Sequence, residues 1–131
     1  MAYLWVALGG ALGSVARYGI SGLIAAAFGE AFPWGTLVIN VTGSLVIGFF
    51  GAITQVETAG PHRVTIIQFV MVGICGGYTT FSSFSLQTLI LLQKRQWLFA
   101  AGNMLGSVIL CMIAVWLGWM LGELIHSTKG N

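Results

Sequence analysis

Four long runs of apolar residues, joined by short links, decide what this chain can fold into. The runs are roughly Tyr3–Phe28, Thr36–Gln55, Val64–Gln93 and Leu98–Gly122. Each reaches the length of about 20 residues that a helix needs to cross a bilayer. Only 6% of the 131 residues are charged, whereas about a quarter are charged in an ordinary soluble domain. The sequence therefore predicts an all-α membrane protein, a single domain over residues 1–131 with four transmembrane helices.

The third run contains the stretch GICGGYTTFSSFS, which extends from Gly73 to Ser85 and is rich in glycine and hydroxyl groups. At membrane depth, irregular backbone is tolerated only where protein buries it or where it lines a cavity. Two adjacent glycines can interrupt a helix, so we predict that the third helix is broken near Gly76–Thr79. A helix that restarts after the break would stack Phe81 and Phe84 on one face. We expect this break to form a site for small ions.

Polar side chains also lie within the other runs. Arg17 lies deep in the first run, and such a residue is either functional or reaches an interface or a helix end; the sequence alone leaves both interpretations open. Asn40 and Ser44 are four residues apart in the second run, and Asn103 and Ser107 are four apart in the fourth, so each pair shares one helix face. The commoner use of a membrane asparagine is a hydrogen bond to a neighbouring helix.

Glycines at helical spacing predict where helices approach one another closely. The candidate positions are Gly9 with Gly13, Gly43 or Ser44 with Gly48, and Gly102 with Gly106.

The polar groups inside the runs favour ion binding over catalysis. No carboxylate or histidine lies within a run to act as a general base or to carry protons, so we do not expect an enzyme. Neutral donors with one cation suit an anion that has lost its water, and aromatic ring edges attract anions weakly, although ordinary packing of the two phenylalanines is also possible. The candidate donors are Arg17, Asn40, Thr80, Ser82, Ser83, Ser85, Asn103 and Ser107.

Backbone carbonyls freed at the break provide a second kind of site. Carbonyls of unwound membrane helices commonly hold cations. Those near Gly76 and Thr79, without any carboxylate, would suit a small monovalent ion such as Na⁺.

The basic residues are balanced between the two sides of the predicted bundle. Arg63 and Lys129 fall on one side, and Lys94 and Arg95 fall on the other. The positive-inside rule therefore assigns no orientation. Either other features settle a weak bias, or the chain inserts both ways and pairs antiparallel.

The motifs of all four runs together resemble the Fluc/CrcB fluoride channel family. The resemblance is carried by the first-run pattern GxxxGSxARY ending at Tyr18, by WGTLVINVTGS from Trp34 to Ser44, by the stretch from Gly73 to Ser85, and by NxLGS from Asn103 to Ser107. It implies an antiparallel, dual-topology homodimer with two fluoride pores and a central, structural Na⁺. The sequence departs from the family pattern at Ser83, where members often have threonine, and at Asn103, where some have tyrosine.

The resemblance also implies roles for individual residues. Phe81 and Phe84 become the aromatic pair of the pore and Asn40 a pore donor. Arg17 would lie near an aqueous vestibule. Polar lining or support on the third span would come from Ser82, Ser83 and Ser85, with Thr80 beside them, and Ser107 would be a polar residue of the fourth span. The Na⁺ carbonyls would be those of Gly76 and Thr79.

From these features we expect a channel in the cell inner membrane that passively exports fluoride from the cytoplasm. An alternative is a small proton-coupled exporter of cationic drugs, which would need a functional carboxylate. A further alternative is a structural or assembly subunit whose polar residues only join helices.

Overall fold

The computed structural model describes residues 1–56 and 61–129, and the described chain is helical apart from short links. The successive helices are α1 (Ala2–Phe28), α2 (Trp34–Val56), α3 (Pro61–Thr65), a π-helical stretch (Ile66–Cys75), α4 (Gly76–Tyr78), α5 (Phe81–Gln93) and α6 (Trp97–Lys129). The elements from α3 to α5 form one interrupted third span. Four segments of the described chain are long and apolar enough to cross a membrane, which confirms the predicted number of spans.

Local chemistry explains where the helices end. α1 ends at Gly29, whose φ of 80° lies in the left-handed region that glycine tolerates. At the link between α5 and α6, Arg95 adopts a φ of 57°, and its backbone N–H donates to the carbonyl of Leu92. The C-terminal ends of α1 and α5 lie on the same side of the bundle.

Glycines without room for a side chain hold two pairs of spans together. α1 packs along the π-helical stretch, where a Cβ on Gly73 would lie 2.9 Å from the Cα of Gly9. A Cβ on Gly13 would overlap the carbonyl of Ile74, so the predicted close approach at Gly9 and Gly13 is confirmed. Small residues thus bring the backbone of α1 directly against the third span.

The second close pair is α2 with α6, and it only partly follows the prediction. A Cβ on Gly48 would overlap the carbonyl of Val115, as expected for a close approach, and one on Gly118 would overlap the carbonyl of Leu45. A Cβ on Gly106 would meet nothing within 4 Å, and one on Gly102 only the ring of Phe32 at 3.8 Å. The close approach predicted at the latter two glycines is therefore wrong within this chain, because Gly118 takes that role on α6.

The third span is interrupted, but the glycine pair does not interrupt it. Gly76 is helical, with φ −63° and ψ −39°, whereas Thr79 (φ −81°, ψ 156°) and Thr80 (φ −150°, ψ 114°) are extended. The break therefore lies at Thr79–Thr80, at the end of the predicted region. Gly77 serves packing instead, because a Cβ there would lie 2.5 Å from the carbonyl oxygen of Gly10.

Candidate functional site

A reciprocal pair of hydrogen bonds joins α2 to the helix break. The backbone N–H of Thr80 donates to Oδ1 of Asn40 at 2.8 Å, and Nδ2 of Asn40 donates to the carbonyl of Thr80 at 3.1 Å. In a continuous helix that N–H would bond the carbonyl of Gly76, four residues earlier. The Asn40 amide thus takes the place of the Gly76 carbonyl as the acceptor for this N–H, and the Gly76 carbonyl is left without its helical donor.

The side chain of Thr80 begins α5 on the other side of the break. Its Oγ1 accepts a hydrogen bond from the backbone N–H of Ser83 at 3.1 Å, as an N-cap residue does. The same oxygen lies 3.2 Å from Oγ of Ser82 and 3.1 Å from Oγ of Ser83. Because the Ser83 N–H is taken by this cap, the carbonyl of Thr79 also loses its helical donor.

A cavity of about 340 Å³, here called the phenylalanine cavity, lies beside the break. The Phe81 and Phe84 rings have centroids 5.3 Å apart at an angle of 43°. Phe81 is 78% exposed, so within this single chain much of its ring lacks a packing partner. The lining includes Asn40, Ser44, Cys75, Gly76, Thr79, Thr80, Phe81, Phe84, Ser107 and Cys111.

A larger cavity of about 970 Å³, here called the Arg17 cavity, lies on the other side of Thr80. It extends from Glu30 and Lys94, at the links on one side of the bundle, to Arg17 and Thr80. Arg17 is half-buried, and within the described residues no carboxylate forms an ion pair with it. The two cations Arg17 and Lys94 outnumber the one carboxylate, Glu30, in the lining, and a concave site of net positive charge concentrates anions. Since Thr80 lines both cavities, the Asn40–Thr80 pair lies between them.

Most of the predicted site residues meet at these two cavities. Ser83 and Arg17 line the Arg17 cavity, and the predicted Gly76, Thr79 and Ser107 line the phenylalanine cavity. Ser82 and Ser85 line neither of these two cavities, and their role in the site stays a prediction. The Ser82 hydroxyl bonds Thr80, and that of Ser85 donates to the carbonyl of Phe81 at 2.9 Å.

The structure adds polar residues that the sequence did not single out. Ser14 donates to the carbonyl of Gly77 at 3.5 Å. Gln87 lines the Arg17 cavity, and its buried Oε1 has no hydrogen-bond partner among the described residues. Thr88 is buried in α5 and bonds Asn103 of α6. What these three residues share in the sequence is a polar side chain within an apolar run. Burying such a side chain costs free energy unless it is hydrogen-bonded.

Neither a disulfide nor a metal cluster of side chains is present in the described part of the chain. Cys75 and Cys111 are both free thiols. No group of three or more histidine, cysteine or acidic side chains among the described residues could hold a metal ion. The polar groups that line the two cavities are hydroxyls, amides and the charged side chains of Arg17, Glu30 and Lys94.

The sequence is similar to those of known proteins along nearly its whole length. The model of one protein family, described as CrcB-like protein, Camphor Resistance (CrcB), matches residues 4–119. A protein of Opitutus terrae named fluoride-specific ion channel FluC is 55% identical over 129 residues, which cover 98% of each chain. A protein of the same name from Rhodospirillum rubrum is 58% identical over 130 residues, covering 96% of this chain and 98% of its own. The chain described here therefore belongs to the CrcB family.

Proposed function

We propose that this protein is a fluoride-selective channel that lets fluoride leave the cytoplasm passively through the cell inner membrane. The single observation that carries the proposal is the Asn40–Thr80 pair, which lies between the two cavities beside Phe81 and Phe84. The same function is supported by the relatives named fluoride-specific ion channel, which are 55% and 58% identical over nearly the whole chain.

The groups around the phenylalanine cavity suit a small, poorly polarisable anion. An asparagine amide has two N–H donors, and Asn40 uses one of them for the Thr80 carbonyl. The second can bond an ion in the cavity that Asn40 lines. Phenylalanine edges carry partial positive charge, so the rings attract an anion without holding it. This balance between entry and release is what conduction requires.

The Arg17 cavity would supply the phenylalanine cavity with ions. It opens at the links near Lys94 and leads inward to Thr80 and Ser83. Arg17 and Lys94 raise the local anion concentration, and the hydroxyls of Thr80 and Ser83 can replace part of the lost hydration.

We also propose that Na⁺ binds at the break. The carbonyls of Gly76 and Thr79 both lack their helical donors, because the N–H groups of Thr80 and Ser83 are bound elsewhere. Oxygen ligands without carboxylates suit a hard monovalent cation. Replacing all Na⁺ with N-methylglucamine during purification should lower fluoride flux, and returning Na⁺ should restore it. Flux that does not depend on Na⁺ would remove the ion from the proposal.

A second copy of the chain would complete the site. In one chain Phe81 is largely exposed, and the hydrogen bond between Thr42 Oγ1 and the Tyr78 hydroxyl, 2.9 Å long, is exposed as well. Exposed polar groups at membrane depth are unfavourable against lipid, which favours coverage by protein. We propose an antiparallel homodimer, in keeping with the balanced basic residues of the two sides.

Replacing Phe81 with isoleucine should lower fluoride efflux by about tenfold, the equivalent of about 1.4 kcal/mol. The substitution removes a ring edge at the phenylalanine cavity but keeps an apolar side chain. A fluoride electrode would record efflux from vesicles containing the purified protein, with chloride efflux measured in parallel.

Phe28→Ile is the matched control for this measurement. Phe28 is 71% exposed, close to the exposure of Phe81, and lines neither cavity. Fluoride efflux equal to wild type in Phe81→Ile would exclude the ring from the pathway. Absence of fluoride flux from the wild-type protein alone would favour an assembly subunit, and flux that requires a proton gradient would favour an exporter.

A further inference from the structure

A chain of buried hydrogen bonds connects α6 to the backbone of Phe84. Asn103 is 0% exposed and Thr88 is 7% exposed, and both lie where α5 meets α6. Nδ2 of Asn103 lies 2.8 Å from Oγ1 of Thr88, and that Oγ1 lies 2.7 Å from the carbonyl oxygen of Phe84. At the other end, Oγ of Ser107 lies 3.4 Å from Oδ1 of Asn103.

The chemistry of the donors and acceptors allows these hydrogen bonds to run in one direction only. A carbonyl can only accept, so the single proton of Thr88 is donated to the carbonyl of Phe84. Thr88 must then accept from the Asn103 amide N–H. The Asn103 carbonyl oxygen is left to accept from the hydroxyl of Ser107. A change at Asn103 therefore affects Thr88 and Ser107 together.

Both ends of this series of hydrogen bonds reach the phenylalanine cavity. The Phe84 ring and Ser107 line it, whereas Asn103 and Thr88 do not. A threonine that bonds the carbonyl four residues earlier tends to bend its helix. The Thr88 hydroxyl therefore fixes the backbone that carries the Phe84 ring, and Asn103 holds that hydroxyl in place from the neighbouring span.

We infer that Asn103 is a positioning residue: through Thr88 it sets the orientation of the Phe84 ring, and through its own Oδ1 it sets the direction of the Ser107 proton in the pathway. The inference rests on the proposed function, since it concerns the same cavity. Ser107 directs its proton toward Asn103 over a long, weak bond, so an arriving anion can compete for that proton. Asn103 thus sets how readily Ser107 donates to the ion without touching the ion itself.

The test compares two substitutions at Thr88 that differ in the hydroxyl. Thr88→Val has a similar shape but cannot donate to Phe84 or accept from Asn103, whereas Thr88→Ser retains both bonds. We expect Thr88→Val to lower fluoride flux per folded channel at least about tenfold and to reduce the preference for fluoride over chloride. Thr88→Ser should keep flux and selectivity within about twofold of wild type.

Asn103→Leu and the double variant Asn103→Leu with Thr88→Val complete a double-mutant cycle. If the two residues act through one chain of bonds, the double variant should conduct no worse than the poorer single variant. Thr54→Val is the matched control. Thr54 is also buried and also bonds the carbonyl four residues earlier, Phe50, at 2.9 Å, but it lies on α2 and lines neither cavity.

Flux is normalised to folded channels counted by gel filtration and by the active fraction of vesicles. Thr88→Val with wild-type flux and selectivity per channel overturns the inference, because a purely structural bond would change only the yield. The inference is also overturned if the effects of the two single variants multiply, or if Thr54→Val is equally impaired. If Asn103→Leu does not fold, the comparison of Thr88→Val with Thr88→Ser still decides the inference. A wild-type protein that passes no fluoride would instead contradict the proposed function.

Discussion

Asn40→Asp is expected to reduce fluoride efflux at neutral pH by at least about a hundredfold. The change is nearly isosteric, so the acceptor that binds the Thr80 N–H is retained. The donor is lost, however, and a carboxylate oxygen then faces the Thr80 carbonyl across the present 3.1 Å bond. Two acceptors at that distance repel one another, so the geometry of the break should also change.

The added charge has the larger effect on the ion. Two unit charges about 4 Å apart at an effective dielectric constant of about 20 interact with about 4 kcal/mol. For an anion near Asn40 this is a repulsion, which corresponds to a roughly thousandfold fall in occupancy. The lower bound of a hundredfold allows for movement of the carboxylate and for screening.

Gln55→Glu is the matched control, because it introduces a carboxylate on the same helix at an exposed position that lines neither cavity. Its fluoride efflux, measured with the electrode assay, should equal that of wild type. Asn40→Asp that conducts as well as Gln55→Glu would show that the anion does not pass the Asn40–Thr80 pair.

The four spans could be predicted because they depend on composition alone. Long apolar runs with almost no charge have no stable place in water, whatever their contacts. The same reasoning finds which polar residues are costly at membrane depth, and most of those that it selected do line the two cavities. It cannot say which span each of them faces, because that depends on helix rotation and packing.

The position of the break shows where local reasoning fails. The paired glycines are the residues with the weakest helix preference, yet Gly76 is helical. At the break, Asn40, forty positions earlier, accepts from the N–H of Thr80 and donates to its carbonyl, in place of the bonds that a continuous helix would make. No local pattern contains that partner, although an asparagine and a threonine-rich stretch were each conspicuous.

Helical spacing also failed where the helix is not an α-helix or where a face has no partner in one chain. Residues Ile66–Cys75 form π-helical turns, so positions before the break do not keep the 3.6-residue period. Gly106 lies at a helical spacing typical of close approach but meets no neighbour within this chain. Spacing gives the faces of a span, and only tertiary contacts show which faces are used.

Changing the balance of basic residues across the bundle should also have a large effect on fluoride flux. Lys94 and Arg95 lie at the α5–α6 link, whereas Arg63 lies at the opposite end of the third span, where its Nε donates to the carbonyl of Thr54 at 2.7 Å. Basic residues near span ends are retained on the cytoplasmic side. If the chain inserts both ways, as proposed, a small excess on either side should therefore fix its orientation.

We expect two oppositely biased variants each to lose at least about tenfold of the fluoride flux when expressed alone, and to recover it when expressed together. Gln55→Lys with His62→Lys adds charge on the Arg63 side, and Gln93→Lys with Gln96→Lys adds charge on the Lys94 side. Either variant alone supplies chains of one orientation, which cannot form an antiparallel pair. The neutral variant Gln55→Asn with His62→Asn is the control and should behave as wild type, and orientation would be read from the accessibility of a terminal tag on each side of the membrane. If a variant with a single orientation conducts fully, the channel is a parallel dimer or a monomer, and antiparallel pairing is excluded.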